Sequence, residues 1–465
     1  MHWLPHFPPQ IDLSQHAAQI RLLHDYLLGR DFAFREILSL NLFTPYLPAY
    51  LVGALLTGVM PGVVAVKLLW TLGAFGTVYA ASRVRTLLGS GDAWDWIMIP
   101  GLFGVTFQWG FLTFLFALPF GIGLVELWVR HLRTPQRWRG AAVGLALAGL
   151  FFAHALVTAW VMTVCAAMLL TTATTVPELL RHARRTLPLL TPLPIAILWL
   201  ASTRGVAQTQ SATTWNWDTR YLTFFPQWFG ISDRWVALLL GLTLIGVLIA
   251  NGARLTRDNV SRAPLLVTIL ILLAGPNLLY GNAMTYNRFF SLLGPTLAWA
   301  LATRSTHSYT SRMRRSTLPI FASTFLLICV VRMMRFAGEQ ADFGQILQHM
   351  SPGQRVLSVV QERSSASLGN SRAYLHFPVW YQAERGGLVE PSFAAYLPMI
   401  MRFRAPGDAG APYEFESRPD LDGIPQLTRF RYMLARSATA EPPTLRAHPF
   451  TLVAHEGQWW LYQRP

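Results

Sequence analysis

Residues 141–170, AAVGLALAGLFFAHALVTAWVMTVCAAMLL, are apolar throughout apart from His154 and a few hydroxyls and lie between two arginine clusters. Arg130, Arg133, Arg137 and Arg139 precede the run; Arg181, Arg184 and Arg185 follow it. About 20 helical residues cross a hydrocarbon core of about 30 Å, so the run is too long for one span and short for two. Arginine in short loops stays on the cytoplasmic side, which puts both ends on one face. The run is therefore expected to be a hairpin of two short or tilted helices turning near His154.

The rest of the chain repeats this pattern. Only 13% of the 465 residues are charged and 52% are hydrophobic, against about 25% charge in a soluble domain; mean hydropathy is +0.34. Apolar spans are expected near 43–60, 62–82, 96–108, 111–129, 140–152, 155–173, 188–203, 235–251, 264–280, 289–303 and 317–334, several of them too short to cross alone. The expectation is an α-helical polytopic membrane protein of about ten membrane helices. A net charge of +15 would suit nucleic acid, but its arginines crowd the junctions between spans, with further clusters at Arg254, Arg257 and Arg262 and at Arg312, Arg314 and Arg315. That is topogenic charge, and no nucleic-acid partner is expected. The two cysteines, Cys165 and Cys329, sit inside apolar spans and make neither a disulfide framework nor a zinc site.

From about residue 337 the pattern changes. QRVLSVV reads as a strand, TRFRYMLARS alternates, and PFTLVAHEGQWWLYQRP reads as a hairpin turning at Glu456-Gly457. The expected organisation is residues 1–41 as an extracytoplasmic loop and interfacial helix, 42–336 as the transmembrane part, and 337–465 as a small α/β soluble domain. If Arg312, Arg314 and Arg315 are inside, the span at 317–334 carries that domain outside. No GxGxxG after a strand, Walker loop, HExxH or CxxC is present.

The opening segment, PPQIDLSQHAAQIRLLHDYLLG at 8–29, holds Asp12 and His16 one helical turn apart. DLSQ reads as a capping box, with Asp12 at the N-cap and Gln15 reaching back. Ile20, Leu23 and Leu27 form an apolar stripe, with Gln15, Gln19, Arg21 and Asp25 facing water or headgroups. The proline-bounded approach WLPHFPPQID holds Asp12 at a fixed place.

With IDLSQHAAQI, the later QWGFLTFLFALP, LFFAHAL, NRFFSLLGP and YLHFPVWYQAERGG make a series that resembles, in kind and order, a bacterial branch of the GT-C superfamily of membrane glycosyltransferases. Those enzymes use polyprenyl-phosphate-linked sugars. The superfamily sets a membrane helix ahead of its aspartate loop; here eleven residues precede Asp12 and none could span, so the resemblance applies without that first helix. It implies a GT-C-like fold and Asp12 as catalytic base. It also implies a polyprenyl-phosphate-sugar donor, a glycan or lipid acceptor, and a multi-pass protein of the bacterial inner membrane among membrane lipids, its C-terminal domain extracytoplasmic.

The chemistry of such a transfer suits particular residues. An acceptor hydroxyl must lose its proton as it attacks the anomeric carbon, a task for a carboxylate such as Asp12. His16 is placed to orient Asp12, bind a lipid phosphate or share a divalent ion; whether a metal ion takes part stays open. The departing phosphate is best gripped by arginine, and Arg288 in TYNRFF is the candidate. Asp92 and Asp95 in GSGDAWDWI offer further carboxylates, or turn and cap roles. Trp215 and Asp218 in WNWDTRY offer an aromatic face and an acid to a sugar, although tryptophan also populates membrane interfaces. His154 is a substrate-site candidate or a hairpin histidine. Two other classes remain. A secondary transporter or flippase needs ionisable groups at mid-span, for which Lys67, Glu126 and His154 are available. A non-catalytic scaffold of a polysaccharide assembly system would use only the tail.

Overall fold

The computed structural model describes residues 1–28, 32–172, 175, 177–178, 186–203, 212–279, 281–302, 316–396, 398–416, 421–422, 424, 426–438 and 450–465. The arginine clusters at Arg181, Arg184 and Arg185 and at Arg312, Arg314 and Arg315 lie outside the described residues. The chain folds into two compact units, one of Met1–Leu69 with Cys329–Pro465 and one of Trp70–Ile328.

In the first unit, helix α1 (Leu13–Leu27) is almost wholly buried. Ala17, Ala18 and Ile20 pack at 2% exposure or less, and so do the polar Ser14, Gln15 and Gln19. This departs from the amphipathic surface helix expected. The polar side chains are not solvated; they satisfy backbone groups of the tail. Gln15 donates to Pro391 O (3.0 Å) and accepts from Phe393 N (3.0 Å). Gln19 accepts from Met401 N (3.0 Å) and Ser14 donates to His376 O (2.7 Å). The capping box is absent for the same reason: Asp12 occupies the N-cap position but makes no side-chain cap, and the amide of Gln15 is used elsewhere. Buried polar groups hold their place only when paired, so these bonds pin the tail to α1.

Helix α2 (Leu47–Thr57) packs on α1. At their contact Gly53 lies against Ile20, where an added Cβ would sit 2.4 Å from Ile20 Cδ1. Gly53→Leu should therefore cost about 1–3 kcal/mol through overpacking, read as a lowered thermal midpoint in nanodiscs. An unchanged midpoint would show that this contact relaxes freely.

The C-terminal part of this unit builds a five-stranded sheet in the order 388–390, 355–360, 432–436, 459–463, 451–456. Strands 388–390, 355–360 and 432–436 pair in parallel, and strand 459–463 is antiparallel to both of its neighbours, 432–436 and 451–456. Strands Arg355–Val360 and Tyr432–Arg436 are buried almost throughout, as parallel strands covered on both faces must be. The hairpin turns at Glu456-Gly457 as expected, with Gly457 at φ +56°. Across the adjacent strands 355–360 and 388–390, Arg355 pairs with Glu390 at 2.6 Å, and the other oxygen of Glu390 accepts from Gly410 N (2.6 Å) and Ala411 N (3.0 Å). A second antiparallel pair joins 38–40 to 401–403.

The second unit is helical. Its helices include Leu112–Arg133, Arg137–Ala153, Ala155–Leu170, Pro192–Ser202, Arg234–Ala250, Asn259–Ala274 and Phe290–Ala300. The helix break predicted near His154 is present: helix Arg137–Ala153 ends at that residue and helix Ala155–Leu170 begins after it. The expected span at 96–108 is instead a 3-10 turn and two five-residue helices, Met98–Leu102 and Val105–Trp109. Its backbone approaches its neighbours too closely for a continuous helix with side chains: an added Cβ on Gly104 would sit 2.4 Å from Trp228 O. Asp233 and Asp258 cap the helices that follow them.

Among the described residues of the whole chain, the stretches Gly62–Leu88, Leu112–Arg133 and Thr317–Gln348 are long and apolar enough to cross a membrane, and five further apolar helices are shorter. The protein is an α-helical polytopic membrane protein that carries a small sheet domain built from its C-terminal part.

Candidate functional site

Asp12 stands at the entrance to α1, where the chain turns from IleAsp into the helix. Its carboxylate is 13% exposed, and Oδ1 lies 3.1 Å from Nδ1 of His376. The other ring nitrogen of His376 contacts the carboxylate of Glu416. The three side chains thus form a carboxylate–imidazole–carboxylate row inside the first unit, drawn from the opening segment, the turn before Phe377–Val379, and the turn Tyr413–Glu416. Phe393 closes over His376 edge-on at 5.5 Å, and His376 Nδ1 also lies 3.2 Å from Ile11 O. Arg363 donates to the main-chain oxygen of Glu416 at 2.6 Å and holds that turn in place.

The charge on this row follows from its partners. Burial alone pulls His376 toward the neutral form, but the carboxylates of Glu416 and Asp12 outweigh it and raise the imidazole pKa to about 10. His376 is therefore an imidazolium at neutral pH, clamped between two acids. Oδ2 of Asp12 takes no hydrogen bond from any described residue. One oxygen is fixed by His376.

His16, a turn later, is buried, with Nδ1 2.7 Å from the hydroxyl of Tyr50 and its ring edge-on to Phe393 at 5.8 Å. Asp12 and His376 meet directly, while His16 anchors α1 to α2. Among the described residues no three His, Cys, Asp or Glu side chains gather closely enough to hold a metal ion, so the divalent-ion role weighed for His16 gains no further ligand from them.

The remaining candidates belong to the second unit. Arg288 lies in the turn Tyr286–Phe289, with its guanidinium 4.1 Å above the ring of Phe111. His154 accepts from Leu156 N at 3.2 Å as the cap of its helix and meets Phe114 edge-on at 5.2 Å; Phe114 in turn meets Phe289 at 5.8 Å. His154 and Arg288 thus each contact a phenylalanine of the segment 111–114, Phe114 and Phe111 respectively. Asp95 is taken by Arg85 at 2.7 Å, and Asp92 is exposed at the start of the same turn. Trp215 is half exposed and donates to Ala274 O at 3.0 Å, and Asp218 is exposed.

The residue that fixes the WNWDTRY loop is Arg220. At 2% exposure it donates to Leu273 O (2.8 Å) and Gly275 O (2.5 Å), stacked between Tyr286 (4.0 Å) and Trp217 (4.7 Å). The groups that a transporter reading relies on are engaged structurally. Glu126 is paired with Arg83 (2.8 Å) and Arg130 (2.7 Å), and Lys67 donates to Pro5 O at 2.8 Å.

No family model matches the chain, and no curated protein matches it. A solved structure similar to it is the crystal structure of ArnT from Cupriavidus metallidurans in the apo state. That similarity has a TM-score of 0.47 at 13% sequence identity and covers 97% of this chain and 92% of that one.

The sequence alone does not mark His376, Glu416, Tyr50 or Arg220. His376 lies in YLHFPVW, a stretch notable for its aromatics, and nothing in its spacing ties it to an aspartate 364 positions earlier. The signal that would have found it is the pairing of a polar opening helix with a tail rich in backbone groups needing partners.

Proposed function

We propose that the protein is a membrane glycosyltransferase of the GT-C type. It moves a sugar from a polyprenyl-phosphate carrier to a glycan or lipid acceptor at the outer face of a bacterial inner membrane. The observation that carries this reading is Asp12: a carboxylate with one oxygen fixed by an imidazolium and the other unengaged is what a general base needs. In the step proposed, Asp12 Oδ2 takes the proton of the acceptor hydroxyl as its oxygen bonds to the anomeric carbon. The bond from that carbon to the phosphate oxygen breaks, and its electron pair leaves on the carrier phosphate. A single displacement of this kind inverts the anomeric centre. His376 stays protonated and keeps the base oriented, without taking the proton itself.

Arg288 is assigned the phosphate. Its guanidinium lies over the ring of Phe111 and Nη2 also reaches Ala283 O at 3.4 Å; a planar guanidinium fork matches two phosphate oxygens. Arg288→Lys should raise KM for an undecaprenyl-phosphate-linked sugar about tenfold, or about 1.4 kcal/mol, with a smaller change in kcat. The measurement is release of undecaprenyl phosphate in proteoliposomes. An unchanged KM in both Arg288→Lys and Arg288→Ala would remove Arg288 from the site.

A further inference from the structure

Away from Asp12, the first unit contains a concavity of about 430 Å³, bordered among others by Glu339, Asp342, Glu362, Ser364, Arg436 and Gln458. Its volume falls in the ordinary range for small-molecule sites, about 300–1,000 Å³. Its walls are held by their own bonds. Glu339 Oε2 accepts from Ser365 Oγ and Ser367 N, both at 2.9 Å, and Glu362 Oε1 accepts from Ser364 N at 2.8 Å. Gly457 turns so close to Asp342 that an added Cβ would sit 1.9 Å from Oδ2, so the hairpin tip forms the wall beside that acid.

Arg436 is the informative member. It is 5% exposed, and Nη1 donates to Glu362 O (2.5 Å) and Ser364 O (3.3 Å). Its Nη2 donates to no described residue. A guanidinium this deeply placed, with an unspent donor at a cavity wall, calls for an acceptor from outside the chain. The carboxylates call for the opposite, donors. A metal ion would answer only the acids, and they do not converge as a metal needs: among the described residues no three ligating side chains group closely enough. An anionic ligand would meet three carboxylates. A ligand whose every polar group both donates and accepts answers both demands, and vicinal hydroxyls on a sugar ring do this.

The geometry points to a carbohydrate-binding site for a neutral sugar between the Glu339–Asp342 turn, the 362–366 loop and the 457–459 hairpin tip. It is a non-catalytic site, and it holds a saccharide whether or not the protein transfers one. The test uses the full-length protein in nanodiscs with neutral disaccharides (maltose, cellobiose, lactose and chitobiose) as probes, read by saturation-transfer NMR and titration calorimetry. At least one should bind at millimolar concentration. Ala366→Trp, which fills the cavity from an exposed position and removes no hydrogen bond, should weaken that binding at least about tenfold, and so should Asp342→Asn. Asp12→Asn should leave it unchanged, which separates this site from the proposed transfer. Several results would overturn the assignment: no disaccharide binding, equal binding in Ala366→Trp, loss in Asp12→Asn alone, or binding of glucosamine with none of the neutral sugars.

Discussion

His376→Leu is expected to lower the stability of the protein by about 3–5 kcal/mol. The leucine fills the volume but leaves Asp12 and Glu416, 13% and 12% exposed, facing each other without the cation between them. Breaking a buried pair by removing one partner costs this much because an uncompensated charge stays behind. Adding Glu416→Gln to His376→Leu should recover a large part of the loss, since it removes one of the two stranded charges. If the double variant is as unstable as the single, the row is not an electrostatic unit.

The wild-type protein carries the same interaction as a pH dependence. The His376 pKa is raised from 6.5 to about 10 in the fold, so the folded state holds a proton that the unfolded chain releases. The stabilisation is fully present below about pH 6.5 and is lost as pH rises through about 10, at up to about 1.4 kcal/mol per pH unit. Thermal midpoints between pH 7 and 10 should fall for the wild type and lose most of that slope in His376→Leu. A wild-type midpoint that rises over this window would contradict the charge assigned to the row.

The membrane architecture was legible in the sequence because its cause is local: charge density, run length and the arginines at the junctions of the apolar spans. The helix break at His154 followed from an apolar run too long for one span, and the turn at Gly457 from a Glu-Gly pair between alternating strands. The burial of α1 was not legible. Gln15, Gln19 and Asp25 make a polar face by periodicity, and periodicity cannot distinguish a face turned to water from one turned to unpaired backbone. The same limit hid the site. Asp12 stood out from its neighbours in the chain, whereas its partners His376 and Glu416 come from turns more than 360 residues away, and nothing local marks either of them. Asp95 and Glu126 show the converse: conspicuous acids that turn out to be held by arginines.

Asp12→Asn should reduce transfer by about 10²–10⁴-fold, the range a positioned general base supplies. The amide has nearly the shape of the acid and retains an oxygen that can face His376 Nδ1, while His376 keeps its contact with Glu416. The fold should therefore survive, with a smaller change in midpoint than for His376→Leu, and KM for the donor should move little because the base acts in the transition state. Asp12→Glu should fall between, since it keeps the charge but moves the oxygen by a methylene from the position that His376 fixes. The decisive measurement is the single-turnover rate of undecaprenyl phosphate release from an undecaprenyl-phosphate-linked sugar, for wild type and Asp12→Asn side by side in proteoliposomes supplied with envelope glycolipid. The account predicts release by the wild type and a loss of at least about 100-fold in a folded Asp12→Asn protein; equal rates in the two would contradict it.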